Sequence, residues 1–175
     1  LKKNLELKDL TAEKIVNDWP EDRLKEIIRA YGEERFAGRI ARRIVEARRR
    51  GRIRRTIELA EIIRLAVPKN YEWGRIHPAT RTFQALRVTV NDELSALREG
   101  LAGGCELLSP NGRMAIISFN SLEDRIVKNF FRDKKQEGEA EVVTKKPIVA
   151  AKEEVSRNPR SRSAKLRVAA KILKP

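Results

Sequence analysis

The sequence predicts a mixed α/β protein in two parts, an all-helical segment over residues 1–75 and an α/β segment over 76–175. Three observations carry this. Residues 1–68 show helical spacing broken by strong stop signals; Met114 to Phe119 is an unbroken apolar run after the turn Ser109-Pro110-Asn111-Gly112; and helical periodicity lies on both sides of that run.

In the first part, Thr11 can cap a helix running to about Asn17, Pro20 can open the next in its first turn, and Gly32, Gly51 and Pro68 can close later ones. Over 34–50, Phe36, Ala37, Ile40, Ala41, Ile44 and Val45 recur at helical spacing, with Arg35, Arg39, Arg42, Arg43 and Glu46 on the other side. One face packs and the other is basic. After the aromatic link from Tyr71 to Trp73, Pro78 should start one long helix reaching Leu108, with Phe83, Leu86, Val90, Leu94, Leu97 and Leu101 as its buried stripe.

The run 114–119 is short enough for a strand covered on both faces. A helix follows over Leu122–Arg132, then a charged mobile linker at Lys134–Gly138. Strands are expected at Glu141–Lys145 and Ala164–Leu173, joined by a polar connection, Lys145–Arg162, with local order only.

Composition narrows the partner. Lys and Arg outnumber Asp and Glu by 39 to 25, a net charge of +14 and a pI near 10.3, which favours a polyanion and nucleic acid first. Between Arg35 and Arg55 stand ten arginines and one acidic residue, Glu46. The planar guanidinium suits phosphate oxygens and stacks on unpaired bases, as RNA binding requires; a solvated helix face without a ligand is the plainer alternative. The lone Cys105 excludes an internal disulfide and a multi-thiol zinc site, and suits a reducing cytoplasm. The lone His77 excludes a multi-histidine metal site, and no metal is expected. No apolar run approaches the ~20 residues of a membrane helix, so a soluble chain without a membrane partner is expected. The chain opens on Leu1 rather than Met, consistent with a segment of a longer reading frame or with processing.

Three motifs carry chemistry. In HPATR (77–81), Pro78 starts a helix whose first amides can hold an anion, and Arg81 one turn in can add a charge-assisted bond; alternatively His77 and Arg81 cap and brace the helix. In SFNSLEDR (118–125), a strand end delivers Asn120, Ser121, Glu123 and Asp124 to a helix N-terminus beside a cleft; Ser121 and Asp124 serve equally well as capping residues. NPRSRSAKLR (158–167) groups Arg160, Arg162, Lys165 and Arg167 after the turn former Asn158-Pro159, either beside RNA or as a charged edge strand.

Taken together, GRIHPATRTFQALR (74–87), LLSPNGRMAIISFNSLEDRIVKNFF (107–131) and NPRSRSAKLR resemble, in order, the second half of the MraW family of small-subunit ribosomal RNA methyltransferases, from about Thr11 to the end. The resemblance implies part of a Rossmann-like class I methyltransferase sheet with an antiparallel final pair, plus a helical insert domain that recognises RNA. It implies methyl transfer from S-adenosylmethionine to the N4 amine of a cytidine in the decoding region of 16S ribosomal RNA, on the RNA or the 30S subunit. Candidate RNA-binding residues are Arg39, Arg42, Arg43, His77, Arg81, Asn158, Arg160 and Arg162; Asn120, Ser121 and Asp124 are the catalytic candidates. Where Asn120 stands the family usually has His, so a proton-carrying role is lost there.

The family's glycine-rich cofactor loop and ribose-binding acid have no counterpart, so no residue is assigned to the cofactor, and a missing N-terminal half or a partner chain is expected to supply it. A fragment inactive alone follows. Two alternatives stand beside this: a non-catalytic basic RNA- or ribosome-binding protein, and a helix-turn-helix DNA regulator built from residues 11–66.

Overall fold

The computed structural model describes residues 9–71 and 76–172. Trp73, Gly74, Arg75 and Leu173, on which some of the expectations fall, lie outside them. The chain divides into two compact units, Leu1–Glu93 and Leu94–Pro175.

The first unit contains helices α1 (Ala12–Asp18), α2 (Glu21–Gly32), α3 (Ala37–Arg48), α4 (Thr56–Ala66) and α5 (Thr80–Asn91). Thr11 caps α1, its side chain accepting from the Lys14 amide at 3.1 Å, and Pro20 is the N-cap of α2. The core gathers the apolar stripes of all five helices, with Ile15, Leu24, Ile28, Ile40, Ile44, Ile63 and Leu86 fully enclosed. Burial of such side chains is worth roughly 1.5–3 kcal/mol each.

Gly32 has a different job from the one its position suggests. The left-handed C-cap of α2 is Glu33 (φ 50°), whereas Gly32 lets α5 come close: a Cβ there would lie 2.6 Å from the Arg81 carbonyl oxygen. This close approach places α5 against α2 in the helical unit. The compact units therefore divide between Glu93 and Leu94, whereas the sequence pattern alone puts the boundary at 75/76.

The expected single helix from Pro78 to Leu108 is two helices. Asp92 takes a left-handed conformation (φ 47°) and ends α5, its amide bonding to the Val88 carbonyl, and α6 (Glu93–Leu107) follows. Glu93 reinforces the break by accepting from Arg87 at 2.9 Å and from Asn91 at 3.1 Å. The apolar stripe runs through both helices because it serves two cores: Phe83, Leu86 and Val90 in the helical unit, Leu97 and Leu101 in the other.

The second unit contains α6, β1 (Arg113–Ser118), α7 (Ser121–Gln136), β2 (Ala140–Val142), β3 (Ile148–Val149), α8 (Lys152–Arg157), a 3₁₀ turn (Pro159–Ser163) and β4 (Lys165–Lys171). β4 is the centre of an antiparallel sheet, with β1 on one side and β2 and β3 on the other. It is thus not the charged edge strand that its composition allowed. Lys134–Gln136, expected as a linker, complete the last turn of α7, and the connection 145–162 holds β3, α8 and the 3₁₀ turn.

β1 is covered on one face only among the described residues. Met114 and Ile116 pack on the core of Leu101, Val127, Phe131, Ala140 and Ala169, whereas Ile117 is 58% exposed and Phe119, just past the strand end, 54%. A continuous apolar run looks the same whether one face is covered or two, hence the difference from the expectation.

Candidate functional site

The β1–β4 register pairs Ser118 with Lys165. Antiparallel pairing therefore brings the turn after β1, with Asn120, Ser121 and Asp124, to the same end of the sheet as the segment before β4, with Asn158, Arg160 and Arg162. The Ser118 hydroxyl donates to the Lys165 carbonyl across this end at 3.4 Å. Two motifs some 40 residues apart thus meet at one sheet terminus.

Asn120 is the N-cap of α7. Its Oδ1 accepts from the Leu122 and Glu123 amides, both at 3.0 Å, and its Nδ2 donates to Glu123 Oε1 at 2.5 Å. Glu123 Oε2 accepts in turn from the Phe119 amide at 2.9 Å. This is the reciprocal logic of a capping box, set one residue further out. The capping role proposed for Ser121 or Asp124 falls to Asn120, because its extended backbone aims the short amide at the free amides of the first turn.

Asp124 turns inward. Its Oδ1 accepts from Arg167 Nε at 2.7 Å and its Oδ2 from Arg167 Nη2 at 3.3 Å, with Lys165 Nζ at 3.4 Å. The hydrogen-bonded Arg167 guanidinium, joined by the nearby charges of Arg167 and Lys165, holds the Asp124 carboxyl below the usual aspartate range against the opposing effect of burial. Arg167, placed by its sequence in a basic cluster, is buried as a structural partner, while Asn158, Arg160 and Arg162 are exposed. Asn158 ends α8, and its carbonyl accepts from the Ser161 hydroxyl at 2.8 Å, shaping the turn that displays the two arginines.

In the helical unit, Arg39, Arg42 and Arg43 are exposed on α3. His77 is exposed and its Nδ1 accepts from the Ala79 amide at 3.2 Å, while Arg81 Nη1 donates to the Glu33 carbonyl at 3.3 Å. Both make the capping and bracing contacts that are the plainer alternative for this motif. Pro78 lies two residues before the first helical residue, Thr80.

The residues that sequence reasoning misses are the internal ties. Arg48, counted in the basic run, donates to the Val16 and Trp19 carbonyls at 2.9 and 2.7 Å, closing the C-terminus of α1. Asn17 exchanges two bonds of 2.9 Å with the backbone of Ile53. The buried Glu34 accepts from the Phe36 amide and from the Tyr71 hydroxyl. Apart from the Glu34–Phe36 contact, no local pattern reveals such pairs, since their partners lie 29 to 37 residues away.

For the cofactor that the resemblance implies, the sheet unit offers a cavity of about 370 Å³ lined by Cys105, Glu106, Lys134, Glu139 and Lys171. The lysine ammonium groups are committed, Lys134 to Glu137 and Glu139, which raise its pKa, and Lys171 to the Cys105 and Glu106 carbonyls. The one described glycine of this unit whose Cβ would meet backbone is Gly112, and there the neighbour is Ser109 within its own turn. The lining thus includes no glycine and no backbone cradle of the glycine-rich kind that the resemblance implies for the cofactor. Among the described residues no group of three His, Cys, Asp or Glu could hold a metal, and no helix is long and apolar enough to cross a membrane.

Fold and site together define a basic mixed α/β protein that gathers polar groups at one end of an antiparallel sheet and arginines on a separate helical unit. The chain belongs to the MraW methylase family, whose model matches residues 5–172. It is 53% identical over 162 residues to the ribosomal RNA small subunit methyltransferase H of Persephonella marina, covering 93% of this chain and 55% of that protein. It is 53% identical to the same-named protein of Synechococcus elongatus, covering 94% and 54%, and 54% identical to that of Nostoc punctiforme, covering 95% and 54%. The chain thus spans about half the length of these relatives.

Proposed function

We propose that this chain is the RNA-recognition and C-terminal part of an S-adenosylmethionine-dependent methyltransferase that modifies the N4 amine of a cytidine in the decoding region of 16S ribosomal RNA, in the cytoplasm. The observation that carries the reading is the meeting of SFNSLEDR with Lys165 and Arg167 of NPRSRSAKLR at one end of the β1–β4 pair, within a chain that belongs to the family. In this reading the helical unit recognises small-subunit RNA or the 30S particle, and the sheet unit contributes one wall of the reaction centre.

A cytidine N4 amine is a poor nucleophile because its lone pair is delocalised into the ring; it must be held and polarised by hydrogen bonds. Asn120 offers a second Nδ2 hydrogen beyond the one given to Glu123, suited to orienting a base but unable to relay a proton. Arg160 and Arg162, exposed in the turn that precedes β4, suit the flanking phosphates. Asp124 acts through Arg167 as a positioning residue.

The reaction needs a cofactor site, which this reading assigns to residues outside the described ones. The outer edge of β1 is unpaired among them and its outer face is apolar, which supports completion by further strands as a Rossmann-like sheet, from a preceding segment or a partner chain. The test incubates small subunits with tritiated S-adenosylmethionine and this chain alone, alongside filter binding of 16S RNA at rising salt. Expected are no methyl incorporation and RNA binding that falls steeply with salt. Incorporation by the chain alone would overturn its incompleteness; salt-insensitive binding would overturn the phosphate-led reading.

A further inference from the structure

A groove runs between α3 and α4 of the helical unit. Its larger part, about 530 Å³, is lined by Arg39, Arg42, Arg43, Glu46 and Leu65; a smaller part of about 150 Å³ shares Arg43, Glu46 and Leu65 and adds Arg50. The size suits a small organic group rather than a bare ion. α4 packs through Leu59, Ile63 and Ala66, so Leu65, 55% exposed, is left as an apolar ledge in the groove.

The guanidinium groups are weakly committed. Among the described residues no carboxylate pairs with Arg39 or Arg50; Arg42 lies 3.7 Å from Glu21 with both side chains well exposed, and Arg43 Nη1 lies 3.3 Å from Glu46 Oε2. Exposed pairs of this kind are readily exchanged for phosphate. Glu46 is the one carboxylate among the arginines of the groove, and its contact with Arg43 uses Oε2, leaving Oε1 to accept from a ligand.

We propose that this groove binds an unpaired nucleotide of single-stranded RNA, its phosphates on Arg39, Arg42 and Arg43, its base on Leu65, and Glu46 accepting a hydrogen bond from an amino group on the base. A carboxylate only accepts: cytosine, adenine and guanine carry an exocyclic amino group that can donate to it, whereas uracil sets an O4 acceptor there and has only its ring N3–H to give. Duplex RNA keeps its base faces stacked and cannot use the ledge. An acidic peptide would match the arginines but set its carboxylates against Glu46. The proposal deepens the RNA-binding part of the function given above and rests on it.

The test is fluorescence anisotropy of the full chain with labelled oligocytidine, oligouridine and an RNA duplex of equal length. Oligocytidine should bind roughly three- to tenfold tighter than oligouridine, the worth of one hydrogen bond, and Glu46→Gln should remove that preference. Leu65→Ser should weaken both single strands by about tenfold, as loss of an apolar contact surface does. Arg39→Ala with Arg43→Ala should lower the salt slope by about 0.7 for each phosphate no longer neutralised. These side chains are exposed, and circular dichroism checks that each variant is folded.

Binding of wild-type chain to no RNA would sink the functional reading itself. Binding unchanged in the Leu65 and arginine variants would sink only the groove. Equal affinity for duplex, or displacement by polyglutamate as effective as by RNA, would also overturn the nucleotide site.

Discussion

Arg167 and Asp124 form a two-pronged ion pair, at 2.7 and 3.3 Å, that locks the first turn of α7 to the central strand. Their side chains are 8% and 13% exposed, so neither charge is well solvated by water. Removing one leaves the other buried, and Arg167→Ala should destabilise the sheet unit by about 3–5 kcal/mol in urea unfolding. Asp124→Asn combined with Arg167→Met should recover much of that loss; a double variant as unstable as Arg167→Ala alone would argue against the pair as the cause.

The same pair sets an acid limit. Asp124 titrates below its ordinary value when folded, so its contribution is fully present above the unfolded pKa of about 3.9 and is lost as pH falls through the lowered folded value. Wild type should lose more stability than Asp124→Asn between about pH 5 and pH 2, and parallel acid curves would contradict this.

At the α2–α5 contact, Gly32→Ala must push apart two backbones, because the new Cβ meets the Arg81 carbonyl oxygen at 2.6 Å. The expected cost is about 1–3 kcal/mol. Gly51→Ala meets no atom within 4 Å and serves as the control for glycine replacement as such. Thermal melts of the two variants separate the cases.

Asn120→Ala removes the cap of α7 and should cost about 1 kcal/mol, while Asn120→Ser, which retains a capping oxygen, should cost less. If both serve equally well, the cap does not support the helix.

Arg48→Ala leaves the Val16 and Trp19 carbonyls without their charged donor and should destabilise the helical unit by about 1.5–3 kcal/mol. Arg49→Ala, exposed and without a carboxylate partner among the described residues, should change stability little and serves as the reference. Equal losses in the two would mean that the basic run acts through its charge alone.

Much of the helical unit is legible in the sequence, because Thr11 and Pro20 are local signals and the stripe through Ile40 and Ile44 has one period. The break at Asp92 is not: the apolar stripe continues through it in phase, and the left-handed turn is stabilised by Arg87 and Asn91 reaching Glu93. Nor is the central place of β4, since strand order depends on partners distant in sequence. At the candidate site the polar residues are legible as motifs, but which of them cap, pair or stay exposed is not. Asn120, Asp124 and Arg162 are all polar, and only their surroundings distinguish them.

What the sequence alone determined is the basic charge, the mixed α/β class, the starts of α1 and α2 and the three ordered motifs, all of which depend on residue type and short spacing. The tertiary structure decided that α5 belongs with the helical unit, that Arg48 and Arg167 are internal ties rather than surface charges, and that Ser118 and Lys165 pair at one sheet end. The physical reason is that burial and hydrogen bonding act between groups close in space, and the chain brings those groups together only when it folds.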